Sequence, residues 1–149
     1  MAVQSGAEEG AANTASVAST SPVLVAEPQE PTGKFTTAVE VKPILSATKS
    51  SWVAVREYGG EDLVYVTQIL SWRCGLVDLR IGLNGAPVES WGLPDCHMDQ
   101  PMPGVLLEED GLPYRGFELG SIQQIEVELV YDDLTTDTAV FGRADVLMP

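Results

Sequence analysis

Cys74, Cys96 and His97 are the residues whose types and spacing come closest to chemistry, and they share one stretch, Ser71 to His97, with Trp72 and Trp91. Cysteine and histidine together can hold zinc or form a nucleophile and its base. Structural zinc sites draw on ligands at CxxC or HxxxH spacing. Here only Cys96-His97 is close, and adjacent residues of an extended chain point to opposite faces. A cysteine nucleophile needs its base delivered across the fold, and this chain has a single histidine to serve. No metal, no cofactor and no catalytic residue is therefore expected, and the chain reads as non-enzymatic. The two cysteines instead flank a hairpin and can meet at its end. The expectation is a Cys74–Cys96 disulfide, closing a loop of roughly twenty residues for about 3 kcal/mol in the chain-entropy model.

Two acidic runs offer hard oxygen ligands for calcium: Asp132, Asp133 and Asp137, and Glu108-Glu109-Asp110. Neither has the spacing of an EF-hand loop, and both read as solvated turns. Arg73 and Arg80 flank the cysteine-bearing strand and are expected to pair with acidic neighbours at the surface. Trp52, Trp72 and Trp91 could stack on sugar rings or anchor a protein interface. Trp52 and Trp72 are expected in the core, while Trp91 stands beside Gly92 at a sheet edge. The binding candidates are Trp72, Trp91, His97, Met98 and Met102, on a loop whose course the cysteines fix.

Hydrophobic periodicity supplies the elements that position these residues. Gly75, Val77, Leu79, Ile81 and Leu83 alternate with Leu76, Asp78, Arg80 and Gly82, the period of a strand. Asn84-Gly85 predicts a type I′ turn, with Ala86 to Trp91 returning and Pro87 marking an edge. Trp52 to Tyr58 and Leu63 to Leu70 read as a hairpin about Gly59-Gly60, the second strand central. Phe35 to Leu45 reads as an entering strand with Pro43 at an edge. Gly92 to Tyr114, with four prolines and three glycines, reads as irregular, with a short strand at Val105 to Leu107. Phe117 to Tyr131 alternates again, Thr135 to Phe141 closes the series, and residues 143–149 form a last edge or trail away. No window shows helical spacing.

Short strands joined by turns, seven to nine of them, predict an all-β sandwich, with a small barrel as the alternative. At the level of architecture this resembles immunoglobulin-like and fibronectin-like modules, although no motif matches residue for residue and no functional residue is carried over. Residues 1–33 contain no aromatic residue and no Lys or Arg, and read as a disordered tail ahead of a domain at 34–149.

The formal charge is −14, from 22 acidic and 8 basic residues, with no cluster of Lys and Arg to displace counterions from phosphate. Nucleic acid is excluded as an expected partner. No apolar run is long enough for a transmembrane helix. The small-residue N-terminus reads as the start of a mature exported chain, no signal peptide standing in the sequence, and with the disulfide it predicts a periplasmic or secreted location. The functional expectation is a non-catalytic, exported recognition module acting through a protein surface. A carbohydrate-binding module using exposed tryptophan, and a Cys/His thiol or metal protein, are the alternatives.

Overall fold

The computed structural model describes residues 24–149, so the first 23 residues of the expected tail lie outside the described part. The chain is mostly β, with few helices and two antiparallel sheets. One sheet has three strands in the order β1 (Ala54–Tyr58), β2 (Glu61–Tyr65), β5 (Tyr114–Glu118). The other has four, in the order β4 (Glu89–Ser90), β3 (Leu76–Leu83), β6 (Gln124–Tyr131), β7 (Thr136–Gly142). The strands form two separate sheets and do not close into a barrel. Val55 and Val64 of the first sheet share one buried cluster with Leu79, Ile81, Val127 and Leu129 of the second. From Leu79 onward, alternation in β3 and β6 thus turns one face of the larger sheet inward, as the sequence predicts. An irregularity between Leu76 and Asp78 instead turns Leu76 inward and leaves Val77, expected on the inner face, exposed.

Turn chemistry sets the registers. Gly59 and Gly60 both take positive φ, and Tyr58 pairs with Glu61 across them, with β2 central as expected. Asn84 and Gly85 also take positive φ, and the Ala86 N–H donates to the Leu83 carbonyl. The return is shorter than the sequence predicts. Continuing the turn's register would set Arg80 against Glu89, yet Arg80 pairs with Ser90. Pro87, which has no N–H to donate, follows the turn directly, and only Glu89–Ser90 recovers the ladder.

The expectation of no helix is wrong. Phe35 to Leu45 does not form a strand; residues Ala38–Ala47 make helix α1, with Pro43 inside it. Ala38, Val41 and Leu45 lie on one face and are fully buried. That face rests on Gly75, where a Cβ would overlap the Val41 side chain and the Thr37 carbonyl. The first turn is held from outside, because the buried Asp132 carboxylate accepts from the Ala38 N–H at 2.8 Å. Tertiary packing therefore overrides a β-branched, proline-containing segment. Leu63 to Leu70 is also not one strand: β2 stops at Tyr65 and Thr67–Ser71 forms helix α2, which carries the chain from one sheet to the other. Phe117 to Tyr131 is broken between β5 and β6 by a turn at Gly120, and a helical turn, α3 (Arg143–Val146), replaces the last edge strand.

Residues 24–33 contain no helix or strand. The Glu27 N–H donates to the Asp132 carbonyl and the Gln29 side chain to the Asp132 carboxylate. Farther along, the Glu40 carboxylate gathers the backbone N–H groups of Gly33, Phe35 and Thr36 and the Thr37 hydroxyl. Burial pushes this carboxyl up, but the hydrogen bonds outweigh burial and bring it down to about 2. The folded pKa lies below the unfolded one, so Glu40 stabilises the protein above the ordinary glutamate range and loses that effect as pH falls toward 2. We expect Glu40→Gln to lower stability at pH 7 by about 1 kcal/mol, as for a lost helix cap, and to reduce the acid loss below pH 4. Denaturant titrations across pH check this; parallel curves for the two proteins would contradict it.

Candidate functional site

The pairing registers place Leu76, Tyr131, Tyr65 and Tyr114 at one end of the two sheets. Helix α2 and the long segment 92–113 lie at this end, and the turns at Gly59-Gly60 and Asn84-Gly85 lie at the other. The long segment is irregular, as expected, but no strand forms at Val105 to Leu107; a 3-10 turn at Glu108–Asp110 follows instead.

Cys74 and Cys96 form a disulfide with Cα atoms 5.7 Å apart, at a sequence separation of 22. It ties the start of β3 to the loop. Arg73, next to it, is 1% exposed, which corrects the expectation of a surface ion pair. Its guanidinium donates to the carbonyls of Leu70, Pro94, Asp95, Gly104 and Val105, at 2.7 to 3.3 Å. One side chain thereby joins α2 to both limbs of the loop. Arg80 behaves as expected, pairing with Asp78 and Glu128 at the surface.

Burial of a cation is tolerated only with compensation. Asp110 supplies it, with a carboxylate oxygen 3.7 Å from the Arg73 guanidinium. The same carboxylate accepts from the Leu107 N–H at 2.8 Å and lies 2.8 and 3.0 Å from the His97 Nε2. The Leu107 N–H and His97 contacts hold the Asp110 carboxyl below its ordinary range against the effect of burial, and Arg73 adds to them. Burial in turn pulls the Arg73 guanidinium down, opposed by Asp110 and Asp95. His97 is thus a strut of the loop, its Nε2 turned toward Asp110.

The other candidates separate into three places. Trp72 meets Phe35 edge-on, with ring centres 5.3 Å apart. Trp72 and Met102 line one open groove of about 370 Å³, together with Ser71, Gly104, Val105 and Leu106. The loop backbone runs tight against α2 here, since a Cβ on Gly104 would overlap the Ser71 carbonyl. Met98 lies beside the disulfide, in a depression shared with Val77 and Thr36. Trp91 is apart from both, between the β4 and β5 edges, with the Arg115 guanidinium 4.0 Å from its ring centre. Trp52 is fully buried, and its Nε1 donates to the Leu45 carbonyl.

The acidic runs do not converge on one point. Asp132 caps α1, Asp133 pairs with Lys42, Asp137 with Lys49, and Asp110 is drawn inward to Arg73. No group of three or more His, Cys, Asp or Glu among the described residues is placed to hold a metal ion. Among the described residues, too, no helix is long and apolar enough to cross a membrane.

Comparison with protein-family models, with curated proteins and with solved structures returns no match.

The loop end has two independent holds, one covalent and one polar. Cys74→Ser with Cys96→Ser is therefore expected to cost about 3 kcal/mol, the entropic contribution of a closed loop of this size, while leaving the loop in place on Arg73. Denaturant unfolding measures the first part. The second is read from the amide spectrum, where resonances of residues 97–111 keep their native dispersion in the double variant.

Proposed function

We propose that this chain is a non-catalytic, extracytoplasmic recognition module that binds a protein partner through the 92–113 loop and the adjoining Trp72. The observation that carries this reading is a long irregular loop that is held internally and presents apolar side chains outwardly. Arg73, Asp110 and the disulfide fix its backbone, while Met98, Met102 and Leu112 are 62%, 46% and 69% exposed. Preorganisation lowers the entropy lost on association. Exposed methionine adapts its shape to a partner at small cost. Loops displayed by a rigid scaffold commonly carry binding.

Strand order supports an immunoglobulin-like or fibronectin-like build. Lettered in chain order with β4 as C′, the sheets read A-B-E and C′-C-F-G, the sandwich pairing without strand D. The disulfide supports an oxidising compartment. The glycan-binding alternative has less support, because the tryptophans form no common platform: Trp52 is core, Trp72 is turned edge-on to Phe35, and Trp91 is stacked by Arg115. The thiol or metal alternative is also weakened, since both cysteines are in the disulfide and His97 faces Asp110.

Capture of partners on the immobilised, oxidised full chain tests the proposal, using envelope and secreted extracts of the source organism. The wild-type chain is compared with Met98→Glu/Met102→Glu, a pair of exposed changes expected to leave the melting curve unchanged. A partner retained by the wild type and lost from the variant is the expected result. Identical retention on both would overturn the assignment to this loop.

A further inference from the structure

The charge around the Trp72–Met102 groove says what kind of segment fits it, an inference that rests on the recognition reading above. The sequence has no Lys or Arg between Arg80 and Arg115. Over the same interval Asp95, Asp99, Glu108 and Glu109 are exposed, and none of the four has an ion-pair partner among the described residues. In chain order Asp99 precedes Met102, and Glu108 and Glu109 follow Leu106, so exposed acidic residues flank the apolar lining on both sides in the sequence. The cations of neighbouring elements do not neutralise them. Arg73 is buried against Asp110, and Lys34, which precedes Phe35, is a single exposed charge.

We infer that the partner presents a cationic amphipathic segment, which lays apolar side chains into the Trp72–Met102–Val105 groove and sets Lys or Arg against Asp99, Glu108 and Glu109. Opposite charge at the rim steers encounter and fixes register, while the apolar groove supplies the short-range contact. The alternatives meet repulsion. A second copy, at −14, would bring one acidic loop against another, and an anionic lipid surface would face the same carboxylates.

The test is fluorescence anisotropy of a labelled synthetic peptide of about 18 residues, five helical turns, built from Leu and Lys in an amphipathic pattern, titrated with the oxidised full chain. Its counterparts replace every Lys by Glu, or every Leu by Ser. Saturable one-to-one binding of the Leu/Lys peptide alone is expected, weakening as salt is raised. Met102→Asp should weaken it about tenfold, as loss of a central interface contact does, and Glu108→Lys/Glu109→Lys about as much, because it sets like charge against the peptide's lysines. Glu118→Lys/Glu126→Lys makes the same change in net charge at the far end of the sheets and should alter it less than about twofold. Circular dichroism confirms that each variant is folded.

Equal weakening by the two charge-reversed pairs would overturn the inference, because binding would then follow net charge alone. Binding of the Ser/Lys peptide as tightly as the Leu/Lys peptide would do the same. If the Leu/Glu peptide binds in a Met102-dependent way, the cationic partner is wrong while recognition through the groove stands. Failure of every peptide to bind would remove the inference and leave the capture experiment to judge recognition.

Discussion

Arg73→Ala is expected to lower the unfolding free energy by about 3–5 kcal/mol, the range for breaking a buried charge pair by removing one partner. The truncation strands Asp110 close to the interior and leaves carbonyls of Leu70, Pro94, Asp95, Gly104 and Val105 without their donor. Arg73→Lys should recover little of this. An ammonium has three donors on a point, whereas the guanidinium spreads its donors across a planar fork and reaches carbonyls on both limbs of the loop. Urea titration followed by tryptophan fluorescence measures both variants. A loss below about 1 kcal/mol for Arg73→Ala would be the size of a single ordinary hydrogen bond, and would mean that Arg73 does not hold the loop.

The second large effect is expected at the opposite end of the sheets. Asp62 is fully buried on β2, where its carboxylate accepts from Arg143 of α3 at 2.6 and 3.1 Å and from the Ile122 N–H at 3.1 Å. Arg143 also reaches Glu57 and the Ile122 carbonyl. These contacts fasten the C-terminal turn and the β5–β6 connection to the smaller sheet. Asp62→Ala should cost about 3–5 kcal/mol, and Arg143→Ala should also destabilise the fold, because it leaves the Asp62 carboxylate buried without its cation. In a double-mutant cycle the two losses should overlap strongly, because the second truncation removes a group already left alone.

The same pair fixes an acid dependence. The Arg143 hydrogen bonds, against the opposing effect of burial, hold the Asp62 carboxyl far below the usual carboxylate range. Its folded pKa is lower than its unfolded one, so the stabilisation is complete above about pH 4, the unfolded aspartate value. It drains away as pH falls below that toward the folded value. The wild type should therefore lose stability steeply in acid, and Asp62→Asn should flatten that limb while starting from a lower plateau.

The strands with one wet face are legible in the sequence. β3, β6 and β7 fall close to where alternation puts them, and the disulfide follows from two cysteines flanking a hairpin. What stays hidden depends on partners distant in the chain. α1 left a trace, in Thr37 followed at N3 by Glu40 and in the helical spacing of Ala38, Val41 and Leu45. Its threonines, valines and Pro43 read more strongly as strand, and the contacts that decide the matter come from Gly75 and Asp132. Similarly, nothing local distinguishes Arg73 from Arg80. One lies on a solvated sheet face beside Asp78, while the other is enclosed by a loop that closes over it some thirty residues later, as its bond to Gly104 shows. The candidate site divides in the same way. The Cys74–Cys96 pairing is legible in the sequence, whereas nothing in the run Glu108-Glu109-Asp110 singles out Asp110 as the carboxylate drawn inward to Arg73 and His97.

Hydrogen exchange of the 92–113 backbone, resolved by residue in the oxidised protein, tests the central claim most directly, because the proposed function needs this irregular loop to be held in one conformation. The N–H groups of His97, Gln100, Val105, Leu107 and Asp110 all donate within the loop. They should be protected by at least about a hundredfold over unstructured chain, which corresponds to opening free energies near 3 kcal/mol. Exchange at unstructured rates would show a loop that orders only on binding, and the preorganised recognition surface would have to be abandoned.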